Sequence, residues 1–267
     1  MPSSFTGRSL PRSFLALGDS FTEGMHDDLG PDGRHLGWAD RVAAALATAT
    51  GGIRYANLAI RGRLLDQVVD EQVPVALELR PDLVSFHAGP NDALRPRTDL
   101  AAVLRRYDSA VGRLREAGPA VLLFTVLERA GGTGRTADRL AARFRLFNDG
   151  VRAAAGRHDA LHDRRLWHED RLHLAPEGHA RVAAAVLETL GVSDPALLGG
   201  EPGWWRLPLP PGPAPRRSAD LAADVRWVRR HFVPWVGRRL RGVSSGDGIL
   251  PKHVELVDVL PPERSSR

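Results

Sequence analysis

The sequence predicts an α/β fold, a three-layer α/β/α sandwich around a central parallel sheet, followed by a C-terminal extension. Two observations support this fold class. Short apolar runs bounded by Gly, Pro, Asn or Asp alternate with longer segments of helical periodicity. The apolar runs lack polar alternation, which is typical of strands buried on both faces of a parallel sheet.

The predicted elements alternate regularly along the first two thirds of the chain. Strands are expected at residues 14–17, 53–59, 83–88 and 120–127, with a weaker fifth strand at 160–163. Helices are expected at residues 38–49, 64–79 with an interruption at Pro74, 100–116, 136–155 and 176–190. This alternation favours right-handed crossovers and a flavodoxin-like strand order, 2-1-3-4-5.

A change of composition near residue 199 divides the chain. Residues 201–215 hold six prolines and two tryptophans, which is typical of an extended linker or strap. We therefore predict a first domain over residues 12–195 and a C-terminal extension over residues 196–267. The extension is expected to pack on the first domain.

Composition limits the possible chemistry. The chain has 267 residues, of which 43% are hydrophobic, so it can form a substantial core. Because it contains no cysteine, disulfides, thiolate nucleophiles and cysteine-ligated zinc are excluded. No phosphate-binding loop or dinucleotide motif is present, and no cofactor is expected. We find no secretory signal and no apolar run long enough to cross a bilayer, so a cytoplasmic location is expected.

Positive charge is concentrated in the extension. Residues 204–267 hold twelve basic and six acidic residues, whereas residues 1–203 hold 25 basic and 26 acidic residues. Because nearly all the basic residues are arginine in an alanine-rich chain, the excess is interpreted as a compositional bias, and nucleic-acid binding is not expected. The oligomeric state is left open.

Ser20 is the candidate nucleophile. It follows the first predicted strand, and Gly18 and Gly24 bracket a turn at the edge where open α/β sheets bind ligands. Downstream, Asp170 and His173 lie three residues apart before the last helix. This spacing lets the carboxylate reach one imidazole nitrogen while the other nitrogen points toward the strand ends. A serine needs such a base to lose its proton.

Four short motifs at the ends of successive elements resemble the SGNH hydrolases, also called the GDSL esterase and lipase family. The motifs are Gly18-Asp19-Ser20 followed by Phe21-Thr22-Glu23-Gly24, then Gly62, then Gly89-Pro90-Asn91-Asp92, and finally Asp170-Arg171-Leu172-His173-Leu174 with Gly178-His179. The resemblance covers about residues 12–192. It implies a hydrolase of ester bonds that acts on a small or lipid-like acyl substrate.

The resemblance also implies a role for each matching residue. Ser20 would be the nucleophile, His173 the base and Asp170 its orienting acid. The oxyanion hole would consist of the Ser20 and Gly62 backbone N–H groups and the Asn91 side-chain amide. The match at Gly62 is the least extensive of the four.

Two other enzyme classes receive less support. Five histidines between residues 158 and 179 lack the spacing of a metal motif, so no metal is expected. Residues 242–246 fit the G-x-S-x-G pattern of α/β-hydrolases. That motif requires a preceding strand, but an arginine-rich helix precedes it here.

Two further readings of the motifs remain open beside hydrolysis. The same acyl-enzyme could transfer its acyl group to another metabolite. A non-catalytic protein on this fold could instead bind carbohydrate or lipid.

The segment between Arg226 and Arg241 carries six arginines, no acidic residue and three aromatic residues. We interpret it as a helix that packs Trp227, Val228 and Phe232 against the core with its arginines outward. The alternative is that it binds an acidic partner or an anionic membrane surface.

Overall fold

The computed structural model describes residues 9–126, 135–155, 166–170, 172–210 and 223–262. Its sheet has five strands in the order β4-β3-β1-β2-β5. The strands are β1 (Ser13–Gly18), β2 (Ile53–Asn57), β3 (Leu83–His87), β4 (Ala120–Leu123) and β5 (His253–Val259). Strands β1 to β4 are parallel, and β5 pairs antiparallel with β2.

Helices follow the strands as the alternation predicts. They are α1 (Ser20–Glu23), α2 (Gly37–Thr50), α3 (Leu65–Gln67), α4 (Val73–Leu79), α5 (Pro90–Ala93), α6 (Leu100–Glu116), α7 (Arg135–Ala155), α8 (Pro176–Thr189) and α9 (Pro195–Leu198). A 3₁₀ turn covers Trp204–Arg206. Residues 223–240 form a further helix, the tail helix, which includes Val228–Phe232 and Val233–Leu240.

The core has two halves, one on each face of the sheet. Phe14 and Ala16 of β1 belong to the half that contains residues of α2 and α8. Leu15 and Leu17 belong to the other half, with residues of α4, α6 and α7. Because successive side chains of a strand point to opposite faces, one buried strand supplies both halves. The three-layer α/β/α architecture is therefore confirmed.

The edge strand β5 corrects the expectation of an entirely parallel sheet. The predicted order 2-1-3-4 is confirmed, and the predicted strand at 160–163 lies outside the described residues. One edge of the sheet is β4, and the other is β5, a strand of the C-terminal extension that was not predicted from the sequence. An unpaired β2 would leave a row of backbone donors and acceptors without partners, and β5 satisfies them.

Two helices contain a π-helical turn directly before a proline. Val68–Gln72 precedes α4, with Pro74 in its first turn, and Val228–Phe232 precedes Pro234 in the same way. Proline has no N–H to donate to the preceding turn, and the wider π turn accommodates this loss. The helix predicted at 64–79 therefore continues through its proline.

The C-terminal extension contacts the rest of the chain through both apolar and polar groups. Leu198 belongs to the core half that contains α2 and α8. Lys252 has an ammonium group that pairs with the Asp40 carboxylate and donates to Leu36 O at 2.8 Å. Val228 and Phe232 are 41% and 45% exposed, so the predicted packing of these two side chains is wrong. The division into residues 12–195 and 196–267 stays a prediction. Among the described helices, none has the length and apolar character needed to span a membrane.

Candidate active site

The turn between β1 and α1 holds Ser20 at the carboxyl edge of the sheet. Gly18 adopts φ +152°, and a Cβ there would lie 2.5 Å from His87 O, so only glycine fits. Asp19 caps α1 by accepting the Phe21 N–H at 3.1 Å. The backbone on the N-terminal side of Ser20 is therefore fixed.

A buried glutamine fixes the end of β1 more firmly. Gln72 accepts the Gly18 N–H at 2.8 Å and donates to Gly18 O at 3.0 Å. It is the last residue of the π turn before α4. Because both backbone groups of Gly18 are held by one side chain, the strand cannot shift near Ser20.

Three predicted residues form one hydrogen-bond chain. His173 Nε2 lies 2.8 Å from Ser20 Oγ, and His173 Nδ1 lies 2.5 Å from Asp170 Oδ2. The serine and histidine are 153 positions apart, so the sheet brings them together across most of the chain. In serine hydrolases, a nucleophile, a base and an orienting acid form a hydrogen-bond chain of this kind.

The Asp170 carboxylate is surrounded by donors. Its Oδ1 accepts the backbone N–H groups of Leu172 and His173 at 3.0 and 3.1 Å. Its Oδ2 is shared by His173 and by His26, whose Nε2 lies 3.2 Å away. Burial raises the pKa of Asp170, but the hydrogen bonds from His173 and His26 outweigh it and hold the pKa well below its usual range. The carboxylate therefore stays charged beside the imidazole.

His26 and His168 form a stacked pair next to Asp170. Their rings are 3.7 Å apart and 4° from parallel. His168 Nδ1 accepts the Asp170 N–H at 3.3 Å, and His26 has a left-handed backbone with φ +70°. The cost of that conformation is offset by the contacts its side chain makes with Asp170.

The candidate oxyanion donors surround the same turn. No hydrogen bond between described residues uses the N–H of Ser20 or Gly62. The Asn91 amide donates to Arg63 O at 3.0 Å and to Asp19 Oδ2 at 3.2 Å. The two backbone donors are therefore available to a ligand, whereas the amide of Asn91 is already oriented by its neighbours.

An ion pair holds the Gly62 loop next to α1. Glu23 accepts the Arg61 N–H at 2.6 Å and the Arg61 Nε–H at 2.8 Å. The Glu23 carboxylate is buried, and such charge-assisted bonds are strong. The helix that begins with Ser20 therefore positions the residue before Gly62.

The C-terminal extension reaches the site at two points. The Trp227 indole N–H donates to the Asp170 carbonyl at 2.8 Å. The Ser244 hydroxyl occupies the space that a Cβ on Gly62 would need, and Gly246 packs against Arg61 in the same way. Residues 242–246, which fit G-x-S-x-G, follow a helix and a turn as expected, and they lie over the Gly62 loop.

A metal could be held by one cluster of described residues. His26, Asp170 and His173 each have a potential ligand atom within 4.8 Å of the other two. In the structure, the hydrogen bonds from the two histidines to Asp170 already use these atoms. A metal would therefore have to displace the proton between His173 and Asp170. The expectation of a metal-free site stays a prediction.

A protein-family model matches more than half of the chain. The family model described as "GDSL-like Lipase/Acylhydrolase family" matches residues 16–181, which include all five predicted site residues. The chain belongs to this family. It is therefore a carboxylic ester hydrolase, and the resemblance noted in the sequence is confirmed. No curated protein sequence matches the chain.

Solved structures share the fold of this GDSL-family chain. LAE5, an alpha/beta hydrolase enzyme from the metagenome of Lake Arreo, is 20% identical, with a TM-score of 0.55 over 69% of this chain and 97% of its own. A catalytic mutant of Axe2, an acetylxylan esterase from Geobacillus stearothermophilus, is 20% identical, with a TM-score of 0.56 over 72% and 96%. The esterase EstA from Pseudoalteromonas sp. is 16% identical, with a TM-score of 0.53 over 67% and 97%.

Sequence reasoning missed several residues that shape this GDSL-family site. They are His26, Glu23, Gln72 and Trp227. Glu23 lies within the first motif, so its closeness to Ser20 in the sequence could have indicated a role at the site. The other three lie outside the motifs and come close to the site only through the folded chain.

Proposed function

We propose that this protein is a serine esterase that cleaves a small or lipid-like acyl ester through an acyl-enzyme on Ser20. The observation that supports this is the hydrogen-bond chain from Ser20 through His173 to Asp170. A serine hydroxyl is a weak nucleophile at neutral pH unless a base takes its proton as it attacks. His173 is that base, because its Nε2 lies 2.8 Å from Ser20 Oγ.

In the first step, Ser20 Oγ bonds to the carbonyl carbon and its proton passes to His173 Nε2. Asp170 fixes the imidazole tautomer and stabilises the imidazolium, because its lowered pKa keeps it anionic. The tetrahedral intermediate then expels the alcohol, which takes the proton from His173. A water molecule attacks the acyl-serine by the same sequence and releases the acid.

The negative oxygen of the intermediate would be bound by Ser20 N–H, Gly62 N–H and the Asn91 amide. Donors of this kind contribute most when charge develops, and the loss of one typically slows turnover by about 10²-fold or more. Asn91 would turn one N–H from Arg63 O toward the oxyanion. Asn91→Ala should therefore lower kcat with little change in KM.

Covalent labelling tests the proposal. A fluorophosphonate probe should label the protein, and peptide mass mapping should place the label on Ser20. The variant Ser20→Ala should lose both the label and the hydrolysis of short p-nitrophenyl esters. The matched control is Ser245→Ala, which removes a serine close to Gly62 but outside the hydrogen-bond chain and should keep both the label and the activity.

The outcome that contradicts the proposal is a label that persists in Ser20→Ala. Product analysis then separates hydrolysis from acyl transfer. If added glycerol or an amine captures nearly all of the acyl group at low concentration, the acyl-enzyme serves transfer.

A further inference from the structure

One cavity beside the proposed oxyanion hole is lined by a positive charge. Its volume is about 350 Å³, and the described residues that line it are Arg95, Gly242, Val243 and Ser244. Ser244 also contacts Gly62, so the cavity lies close to the point where the oxyanion would form. Its size suits a small ligand fragment.

Arg95 faces this cavity, and no described residue pairs with its guanidinium. Within the described part of the chain, its guanidinium makes no hydrogen bond and no ion pair, and its Nε is buried. A half-buried charge loses hydration, and that loss is normally compensated by an acceptor. Arginine presents a planar fork of N–H donors that matches a carboxylate or phosphate.

The backbone around Arg95 is held in place by a second arginine, Arg143. Arg143 donates to Ala93 O and Arg95 O, both at 2.8 Å, and to Thr98 O at 3.2 Å. One arginine therefore binds three carbonyls of the segment that follows α5. Asn91, the proposed oxyanion donor, lies in α5, two residues before Ala93. Asn91 and Arg95 therefore belong to one segment whose backbone is held by Arg143.

Asp92 interacts electrostatically with Arg95 but is not its ion-pair partner. Asp92 Oδ2 instead accepts the Leu65 N–H at 2.8 Å. Burial raises the pKa of Asp92, and the Leu65 N–H and the Arg95 charge offset this only in part. Among the described residues, none occupies the guanidinium, which is therefore available to an external anion.

We propose that Arg95 binds an anionic oxygen group, a carboxylate or a phosphate, on one half of the ester substrate. This inference rests on the proposed function, because it assigns a substrate class to the same site. The C-terminal residues 242–244 supply the facing wall. The enzyme would therefore prefer esters in which a small acidic fragment lies next to the scissile bond.

Matched substrates test this preference. On the acyl side, 4-nitrophenyl hemisuccinate is compared with 4-nitrophenyl butyrate. On the alcohol side, 4-acetoxybenzoate is compared with its methyl ester. Wild-type protein should show a higher kcat/KM for the acidic member of at least one pair, and that pair identifies the side that Arg95 contacts. Inhibition by acetate or by inorganic phosphate distinguishes the two anions.

Three variants assign the preference to Arg95. Arg95→Gln should lower the ratio of kcat/KM values, acidic over neutral, by about tenfold or more, because a charge-assisted pair is lost. Arg95→Lys should retain part of the ratio. The control Arg97→Gln removes an exposed arginine two residues away and should keep the wild-type ratio. An unchanged ratio in Arg95→Gln, or an equal loss in Arg97→Gln, overturns the inference.

A binding measurement separates this inference from the proposed function. Calorimetry with the Ser20→Ala protein measures the Kd of 4-nitrophenyl hemisuccinate and of 4-acetoxybenzoate without turnover. Adding Arg95→Gln should weaken binding of the preferred compound by about tenfold or more. If the wild type hydrolyses no ester but this loss is seen, the esterase proposal fails and the anion site stands. If the Kd values do not change, or neither compound binds, the anion site is wrong.

Discussion

The parallel strands and the C-terminal extension are held in place by different kinds of contact. In β1 and β3 every residue is buried, and their side chains supply both halves of the core. In β5 no residue is fully buried, and the strand is held by backbone pairing with β2. The extension adds a few polar anchors, namely Lys252 to Asp40 and Trp227 to Asp170.

The parallel strands and the C-terminal extension therefore have different roles at the site. The core strands position Ser20, and the polar anchors of the extension bring residues against the site's rim. Because no apolar side chain is fully buried among the described residues 223–262, each polar anchor in this part of the extension should account for a measurable share of its attachment. Substitutions of Ser20 and His173 should therefore lower activity and leave stability nearly unchanged. Substitution of the Lys252 anchor should lower stability.

The largest expected effect is the loss of activity when Ser20 or His173, at the carboxyl edge of the core strands, is replaced. Ser20→Ala and His173→Ala should each lower kcat by about 10⁴-fold or more, and the double variant should be little worse, because residues of one triad act as a unit. Melting temperatures should change little. Ester kinetics and thermal unfolding of the three variants provide the measurement. Losses that multiply in the double variant would contradict a shared step.

The next effect concerns the main anchor of the extension. Lys252→Met should lower the free energy of unfolding by about 3 kcal/mol, because it leaves the Asp40 carboxylate without its buried partner. Burial raises the pKa of Asp40 to about 6 even beside Lys252, so the loss should be largest above that pH.

Denaturant unfolding at pH 8 measures this loss. The control Arg229→Met removes an exposed cation from the tail helix and should leave stability nearly unchanged. Asp40→Asn combined with Lys252→Met should recover part of the loss. Equal effects of Lys252→Met and Arg229→Met would show that the ion pair does not anchor the extension.

A smaller expected effect is the pH dependence of stability that arises from His179, a buried residue of α8. His179 is buried, accepts the Trp38 N–H on Nδ1 at 3.3 Å and contacts Met25 O through Nε2 at 3.2 Å. Burial lowers the pKa of His179 from 6.5 to about 4. As pH falls, the unfolded chain therefore binds this proton first, so the stability contribution is present above about pH 6.5 and is lost toward pH 4.

The expected size is about 2 kcal/mol of unfolding free energy lost between pH 8 and pH 5. His179→Gln cannot titrate, so its stability should fall less than that of the wild type by this amount. Urea unfolding of both proteins at the two pH values gives the comparison. Parallel pH dependence would mean that His179 is protonated in the folded state as readily as in the unfolded chain.

The sequence predicted the elements whose side chains are buried. The runs at 14–17 and 83–88 became β1 and β3 with small changes at their ends, because a continuous apolar run has few alternatives to a central strand. Strand β5 was missed because its residues alternate irregularly between half-buried and exposed positions. Its stability comes from the backbone of β2, which leaves no pattern in its own side chains.

The candidate site shows the same limit. Ser20, Asp170 and His173 were predicted because each stands in a short motif at the end of an element. His26 and Gln72 were not predicted, since His26 reaches Asp170 across 144 positions and Gln72 reaches Gly18 across 54 positions. A side chain that acts through a distant backbone or carboxylate has no local pattern to reveal it.

The smallest expected effect tests whether the extension influences the chemistry. Trp227→Phe removes the indole N–H that donates to Asp170 O and keeps an aromatic ring that can stack on Phe232. One neutral hydrogen bond contributes about 1 kcal/mol, so kcat should fall by about threefold to tenfold with KM nearly constant. Trp204→Phe is the matched control, because its indole N–H donates to Leu198 O instead. If both variants lower kcat equally, the effect is one of stability. If only Trp227→Phe does so, the extension holds Asp170 in place for catalysis.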